Sequence, residues 1–175
     1  MGLNAAPMAK DMGAAQVIVV DMVPEKLELA KAFGADQTIN AQEYPTPEAR
    51  IRRVRELTGG AGADVVLEVV ASAPQVVPEG IEMLVSGGTY VTCGLVGQYS
   101  CNLSMMPFIS KGLKLIGTSN YKAWTMPKVL DFMARHGKKY PFDKIISHKF
   151  GLEDVGEAYK QIMEGKVVRA GIIFD

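Results

Sequence analysis

Short apolar runs alternate along this chain with longer stretches whose apolar positions recur every three or four residues. Residues 16–21 (QVIVVD) are β-branched and almost wholly apolar, as expected of a strand buried on both faces. Residues 24–34 (PEKLELAKAFG) begin on proline and end on glycine, with Leu27, Ala30 and Phe33 on one side, which predicts a helix. The alternation continues with a short strand at 37–40 (QTIN) and a helix at 46–58, where Ile51, Val54 and Leu57 are spaced for burial. Glycines at 59–62 stop that helix. A further buried strand follows at 64–70 (DVVLEVV), then a helix at 74–85 and a strand at 89–93 (TYVTC) closed by Gly94. After a longer connection comes a strand at 114–118 (KLIGT).

Strands separated by helical stretches of about 10–15 residues predict βαβ units and a parallel sheet. Right-handed crossovers then place helices on both faces, a doubly wound α/β arrangement. Beyond Tyr121 the texture changes. Residues 127–136 and 152–164 read as amphipathic helices, the second with Leu152, Val155, Ala158 and Ile162 on one side. Residues 145–150 (IISHKF) and 169–174 (RAGIIF) read as strands. The expected division is a sheet domain over residues 1–120 and an α+β segment over 121–175.

Composition removes several function classes. The chain is 48% apolar and 22% charged, an ordinary globular mixture with enough apolar residues for a core. Lys plus Arg and Asp plus Glu each number 19, so no overall field draws nucleic acid or an anionic membrane. The run Arg50, Arg52, Arg53, Arg55 has no interleaved aromatics and reads as an exposed helix face. No stretch is apolar enough for a membrane span, and residues 1–10 lack the secretory pattern. Cys93 and Cys101 are too few for a disulfide scaffold or a self-contained zinc site. The expectation is a cytoplasmic protein with reduced thiols. The ten methionines read as core filler.

One acid changes the picture. Asp21 closes its strand about 20 residues after Gly2, which opens a helix-like stretch. A dinucleotide site uses such an acid to accept hydrogen bonds from both adenosine-ribose hydroxyls, and its charge repels a 2′-phosphate. Lys26, in the first turn of the next helix, can reach the same ribose. The alternative for Asp21 is a turn former or helix cap.

The whole chain resembles the medium-chain dehydrogenase family, in its zinc-dependent alcohol, sorbitol and threonine dehydrogenase branch. MGLNAAPMAKDMGAAQVIVVDMVPEKLELAKAFGADQTIN is similar to the stretch after that family's first cofactor strand. GGAGADVVLEVV, SGGTYVTCGLVG, GLKLIGTSNY and ISHKFGLEDVGEAYKQIMEGKVVRAGII follow in the family's order. The resemblance implies a Rossmann-like domain lacking its first strand and two phosphate-loop glycines, with residues 121–175 belonging to the catalytic lobe. It also implies NAD as cofactor. Gly2 matches the last phosphate-loop glycine, and Asp21 and Lys26 match adenosine-ribose contacts. Val69 and Val70 match residues near the adenosine half and the nicotinamide ribose. Cys93, Gly94 and Leu95 match the segment beside the nicotinamide carboxamide, Thr118 and Asn120 its other side, and Arg169 a residue that reaches the phosphates.

The family's zinc ligands and proton relay have no counterpart in this sequence, so no catalytic residue and no metal ligand is assigned. The implied activity is hydride transfer between a secondary alcohol or polyol and NAD, with the isolated chain inactive. The alternatives are a non-catalytic nucleotide-binding or dimerisation module and a zinc-free quinone reductase relative; Asp21 speaks against the latter, many of whose members prefer NADPH. The resemblance further implies a homo-oligomer through residues 101–118, where Leu103, Met105, Met106, Phe108 and Ile109 precede an edge strand. In the strand order 3-2-1-4-5-6, absence of the first strand leaves the second and fourth without their shared neighbour.

Overall fold

The computed structural model describes residues 1–71, 73–94 and 100–174. Residues 2–40 and 122–175 form one compact unit, and residues 41–121, with Met1, form another.

In the first of these units, α1 (Gly2–Asp11) leaves through Gly13, whose φ of +95° belongs to the left-handed region that favours glycine. Lys10 Nζ then grips the Asp36 carboxylate at 3.1 Å, and the same carboxylate accepts the Val17 N–H at 2.6 Å. These contacts tie the exit of α1 to the entrance of β1 (Ile18–Asp21). Next, α2 (Pro24–Ala32) buries Leu27, Ala30 and Phe33, as their spacing predicts. β2 (Gln37–Asn40) lies parallel to β1, with Ile18 opposite Gln37 and Asp21 opposite Asn40.

The carboxyl-terminal part of the same unit contains α6 (Thr125–His136), a 3₁₀ turn (Phe142–Ile145) and β6 (His148–Gly151). A second 3₁₀ turn (Leu152–Asp154) leads into α7 (Val155–Met163), followed by β7 (Ala170–Ile173), parallel to β6. Phe142 stands edge-on to Phe33 at 5.6 Å and to Phe132 at 6.2 Å, joining α2 to α6 through aromatic contacts. The apolar side expected of 152–164 is buried only at Ala158; Leu152, Val155 and Ile162 are exposed.

The second unit contains α3 (Pro47–Leu57), β3 (Ala63–Glu68), α4 (Val76–Glu82), β4 (Leu84–Thr92), α5 (Met106–Lys111) and β5 (Lys114–Gly117). Thr46 caps α3 by accepting the Ala49 N–H at 3.2 Å. The strands lie in the order β3-β4-β5, all parallel. Val77, Ile81, Leu84 and Tyr90 form the core between α4 and the sheet, with Val66 and Phe108 packed against them. The strand expected at 89–93 begins instead at Leu84. The ladder jumps from Ala63 opposite Leu84 to Val65 opposite Thr89, and the surplus residues, including Gly87 at φ +78°, bulge outward.

Arg50 departs from the exposed basic face expected of it. Its guanidinium pairs with the buried Glu79 through two bonds of 2.7 Å and donates a third, also 2.7 Å, to the Tyr44 carbonyl. Among the described residues β1 pairs only with β2, and β3 only with β4 on one side. Val20, Val65 and Leu67, expected to be buried, are exposed. Among the described residues no helix is long and apolar enough to cross a membrane.

Candidate functional site

In parallel sheets, ligands bind beyond the carboxyl ends of the strands. Asp21 is the last residue of β1 and is half-buried. Its Oδ1 accepts the Val23 N–H at 2.9 Å, so the turn-forming role is present and fixes the carboxylate at the strand end. A carboxylate retains acceptor capacity beyond one such bond. Lys26 sits in the first turn of α2, half-buried, its N–H bonded to the Val23 carbonyl at 3.1 Å. Gly2 is the first residue of α1, where backbone N–H groups have no helical partner.

Arg169 stands just before β7 and is exposed. Ser147 holds its backbone from both sides: Oγ accepts the Val168 N–H at 3.0 Å, and the Ser147 N–H donates to the Arg169 carbonyl at 3.0 Å. A Cβ at Gly165 would lie 3.4 Å from Val23 Cγ2, so the turn opening the loop to Arg169 rests against the turn that carries Asp21.

In the other unit, the ladder runs one residue beyond each strand end. The Cys93 N–H donates to the Glu68 carbonyl at 3.0 Å, and the Thr118 N–H to the Thr92 carbonyl at 2.9 Å. Val69, Val70, Cys93, Gly94 and Thr118 therefore gather at one end of the sheet. Val70, expected in the core, lies two residues beyond β3 and is 41% exposed. Asn120 adopts φ +57°, a left-handed conformation that asparagine tolerates better than most residues. Leu95 lies outside the described residues. Burial, then the negative charge of Glu68, pushes the Cys93 thiol up and so disfavours its thiolate form.

Sequence reasoning passed over Glu68. It is only 4% exposed, at the carboxyl end of β3. One carboxylate oxygen accepts the Val70 N–H, and the other accepts Thr92 Oγ1–H at 2.8 Å. A Cβ at Gly94 would fall on both the Glu68 carboxylate and the Val70 carbonyl, so only glycine fits there. The signal in the sequence was one acid inside an otherwise apolar run.

Zinc finds no matching donor set. Among the described residues no three of His, Cys, Asp and Glu are grouped to hold a metal ion. His136 Nε2 lies 2.9 Å from Asp11 Oδ1, and His148 Nδ1 lies 3.0 Å from Ser147 Oγ.

Known proteins place this geometry in a family. The sequence profile of the zinc-binding dehydrogenases matches residues 1–135. Sorbitol dehydrogenase 1 of Saccharomyces cerevisiae is 33% identical over 177 residues, covering 99% of this chain and 48% of its own length. An alcohol dehydrogenase from Thermus sp. ATN1 superposes with a TM-score of 0.85 at 27% identity, over 99% of this chain and 48% of its own. The structure of an NAD-dependent alcohol dehydrogenase gives 0.81 at 26% identity, with 99% and 48% covered. The chain thus spans about half the length of the relatives it matches. With the parallel sheets and the acid at the end of β1, these matches show that the chain belongs to the zinc-binding dehydrogenase family.

Proposed function

We propose that this chain is the cofactor-binding part of an NAD-dependent, zinc-type alcohol or polyol dehydrogenase. The observation that carries the reading is Asp21, held at the carboxyl end of β1 by its bond to Val23, with acceptor capacity left for a ribose diol. When bound, the nicotinamide accepts a hydride from the alcohol carbon. The chain's own residues bind and orient. Asp21 accepts from the adenosine-ribose hydroxyls and repels a 2′-phosphate, with Lys26 beside it. Gly2 presents a helix N-terminus to the pyrophosphate, and Arg169 supplies a guanidinium for its oxygens. Val69 and Val70 serve the adenosine half and the nicotinamide ribose, and Cys93, Gly94, Leu95, Thr118 and Asn120 serve the nicotinamide carboxamide.

The described residues offer no grouped set of donors for zinc. We expect no alcohol oxidation by this chain alone. The polyol class is supported by the likeness to a sorbitol dehydrogenase.

Calorimetric titration with NADH and with NADPH tests the reading, with Asp21→Ala as control. Saturable NADH binding, weaker for NADPH and lost or inverted in the variant, is expected. Absence of binding by a folded chain would overturn it.

The same proposal includes a homo-oligomer through residues 101–118. β5 is the last strand in the β3-β4-β5 order, Leu115 and Ile116 are exposed, and Met105, Met106 and Ile109 are exposed on the segment before it. Phe108, expected on this surface, packs inward against the core, so Ile116→Lys is the cleaner probe. An unchanged mass by light scattering in that variant would refute the contact.

A further inference from the structure

We propose that Glu68 is a positioning residue for the nicotinamide half of the cofactor. Its buried carboxylate sets the shape of the strand ends against which the ring is held; the inference rests on the NAD reading above. A carboxylate buried in an apolar strand is unfavourable unless its bonds are needed, and a leucine would fill that space without the desolvation penalty. Glu68 uses its two oxygens on different strands: one receives the N–H of Val70, just beyond β3, and the other the hydroxyl of Thr92, the last residue of β4. The backbones of the same two residues continue the network. The Glu68 carbonyl accepts the Cys93 N–H at 3.0 Å, and the Thr92 carbonyl accepts the Thr118 N–H at 2.9 Å. Glu68 and Thr92 together therefore hold the ends of β3, β4 and β5.

The carboxylate also occupies the space a side chain at Gly94 would need, so its position sets how the chain turns after Cys93. Of the residues so held, Cys93, Gly94 and Thr118 are those assigned to the nicotinamide carboxamide. Asp21, Lys26 and Arg169, assigned to the ribose and phosphates, take no part in the Glu68 contacts. Loss of the Glu68 network is thus expected to weaken NADH binding while largely sparing ADP-ribose, which keeps the adenosine, the pyrophosphate and the second ribose and lacks only the nicotinamide ring that the Cys93, Gly94 and Thr118 segments face.

The test measures both affinities by calorimetry on the full chain for wild type, Glu68→Leu, Glu68→Gln and Thr92→Val, with circular dichroism to establish folding. Glu68→Leu is expected to weaken NADH about tenfold and ADP-ribose less than about twofold. Glu68→Gln is expected to recover most of the loss, since its carbonyl still accepts from Val70 and its amide can donate to Thr92 Oγ1. Thr92→Val, which leaves the acid in place, tests the same selectivity if Glu68→Leu fails to fold. Parallel weakening of both ligands, or no change in NADH binding, would overturn the inference and leave the NAD reading standing. A wild-type chain that binds neither ligand would overturn that reading and Glu68's role with it.

Discussion

Breaking the Arg50–Glu79 pair is expected to cost this chain much of its stability. The two side chains are 13% and 7% exposed, and they meet in a bidentate contact that ties α3 to α4. α4 in turn packs on β4 through Gly80 and Tyr90, beneath the strand that leads to Cys93. The Glu79 hydrogen bonds raise the Arg50 pKa further, so the guanidinium stays charged at every accessible pH. Glu79→Ala removes two charge-assisted bonds of about 1.5–3 kcal/mol each and strands a charge that desolvation already penalises. The net loss is about 3–5 kcal/mol, against a domain stability of about 5–15 kcal/mol. With a urea slope of ~2 kcal/mol/M, a loss of ~4 kcal/mol lowers the unfolding midpoint by ~2 M. Urea denaturation followed by far-ultraviolet circular dichroism reads this directly. The double variant Arg50→Met/Glu79→Leu removes both charges and is expected to recover most of the loss. A single-variant shift below about 0.5 M, or a double variant no better than the single, would refute the assignment of a buried, interdependent pair.

Gly80→Ala places a Cβ 2.5 Å from the fully buried Tyr90 ring and 3.1 Å from Val66, and is expected to destabilise by about 1–3 kcal/mol through overpacking; an unchanged melting midpoint would refute it. At Asp36, burial raises the pKa, but the Val17 N–H and Lys10 outweigh it and hold the carboxyl below its ordinary value. A depressed folded pKa gives stability that is present above the unfolded value and lost as pH falls through the folded one. The stability gap between wild type and Asp36→Asn should therefore close on acidification, and a gap that widened would contradict the sign. Since, among the described residues, β3 pairs on one side only, its amides should alternate between slow and fast hydrogen exchange along Ala63–Glu68. Uniformly slow exchange would show its second edge to be covered in solution.

The elements easiest to read from sequence were those where punctuation and periodicity agreed. Pro24 and Gly34 bracket Leu27, Ala30 and Phe33, and all three apolar residues are buried. Residues 152–164 carry an equally regular stripe, yet only Ala158 is buried. Periodicity states that one face of a helix is apolar; it does not state what covers that face within the chain. The start of β4 was missed for a different reason. The periodic run at 89–93 begins only after Ser86, Gly87 and Gly88, where Gly87 takes φ +78°, yet the ladder already holds Leu84 and resumes at Thr89. Arg50 was grouped with its charged neighbours because nothing within α3 reveals that Glu79, 29 residues later, lies opposite it.

Site residues were legible in proportion to how far they depend on a strand end. Asp21 stands where an apolar run stops, so its place at the carboxyl edge follows from the run itself. Glu68 required the pleat as well. Along DVVLEVV, Val66 and Glu68 share one face and Val65 and Leu67 the other, since alternate side chains of a strand point the same way. Val66 packs on the core cluster, whereas Val65 is 60% and Leu67 44% exposed. Taken as a surface position interrupting an apolar strand, Glu68 carries no message. Placed on the face of Val66, it is a charge on the inner side of a sheet at the carboxyl end of its strands, and such a charge persists only where its bonds organise something. Here they organise Val70, Thr92 and the turn at Gly94. The absence of a side chain at Gly94 and the presence of one at Glu68 are two halves of one packing requirement, which neither residue discloses when read singly.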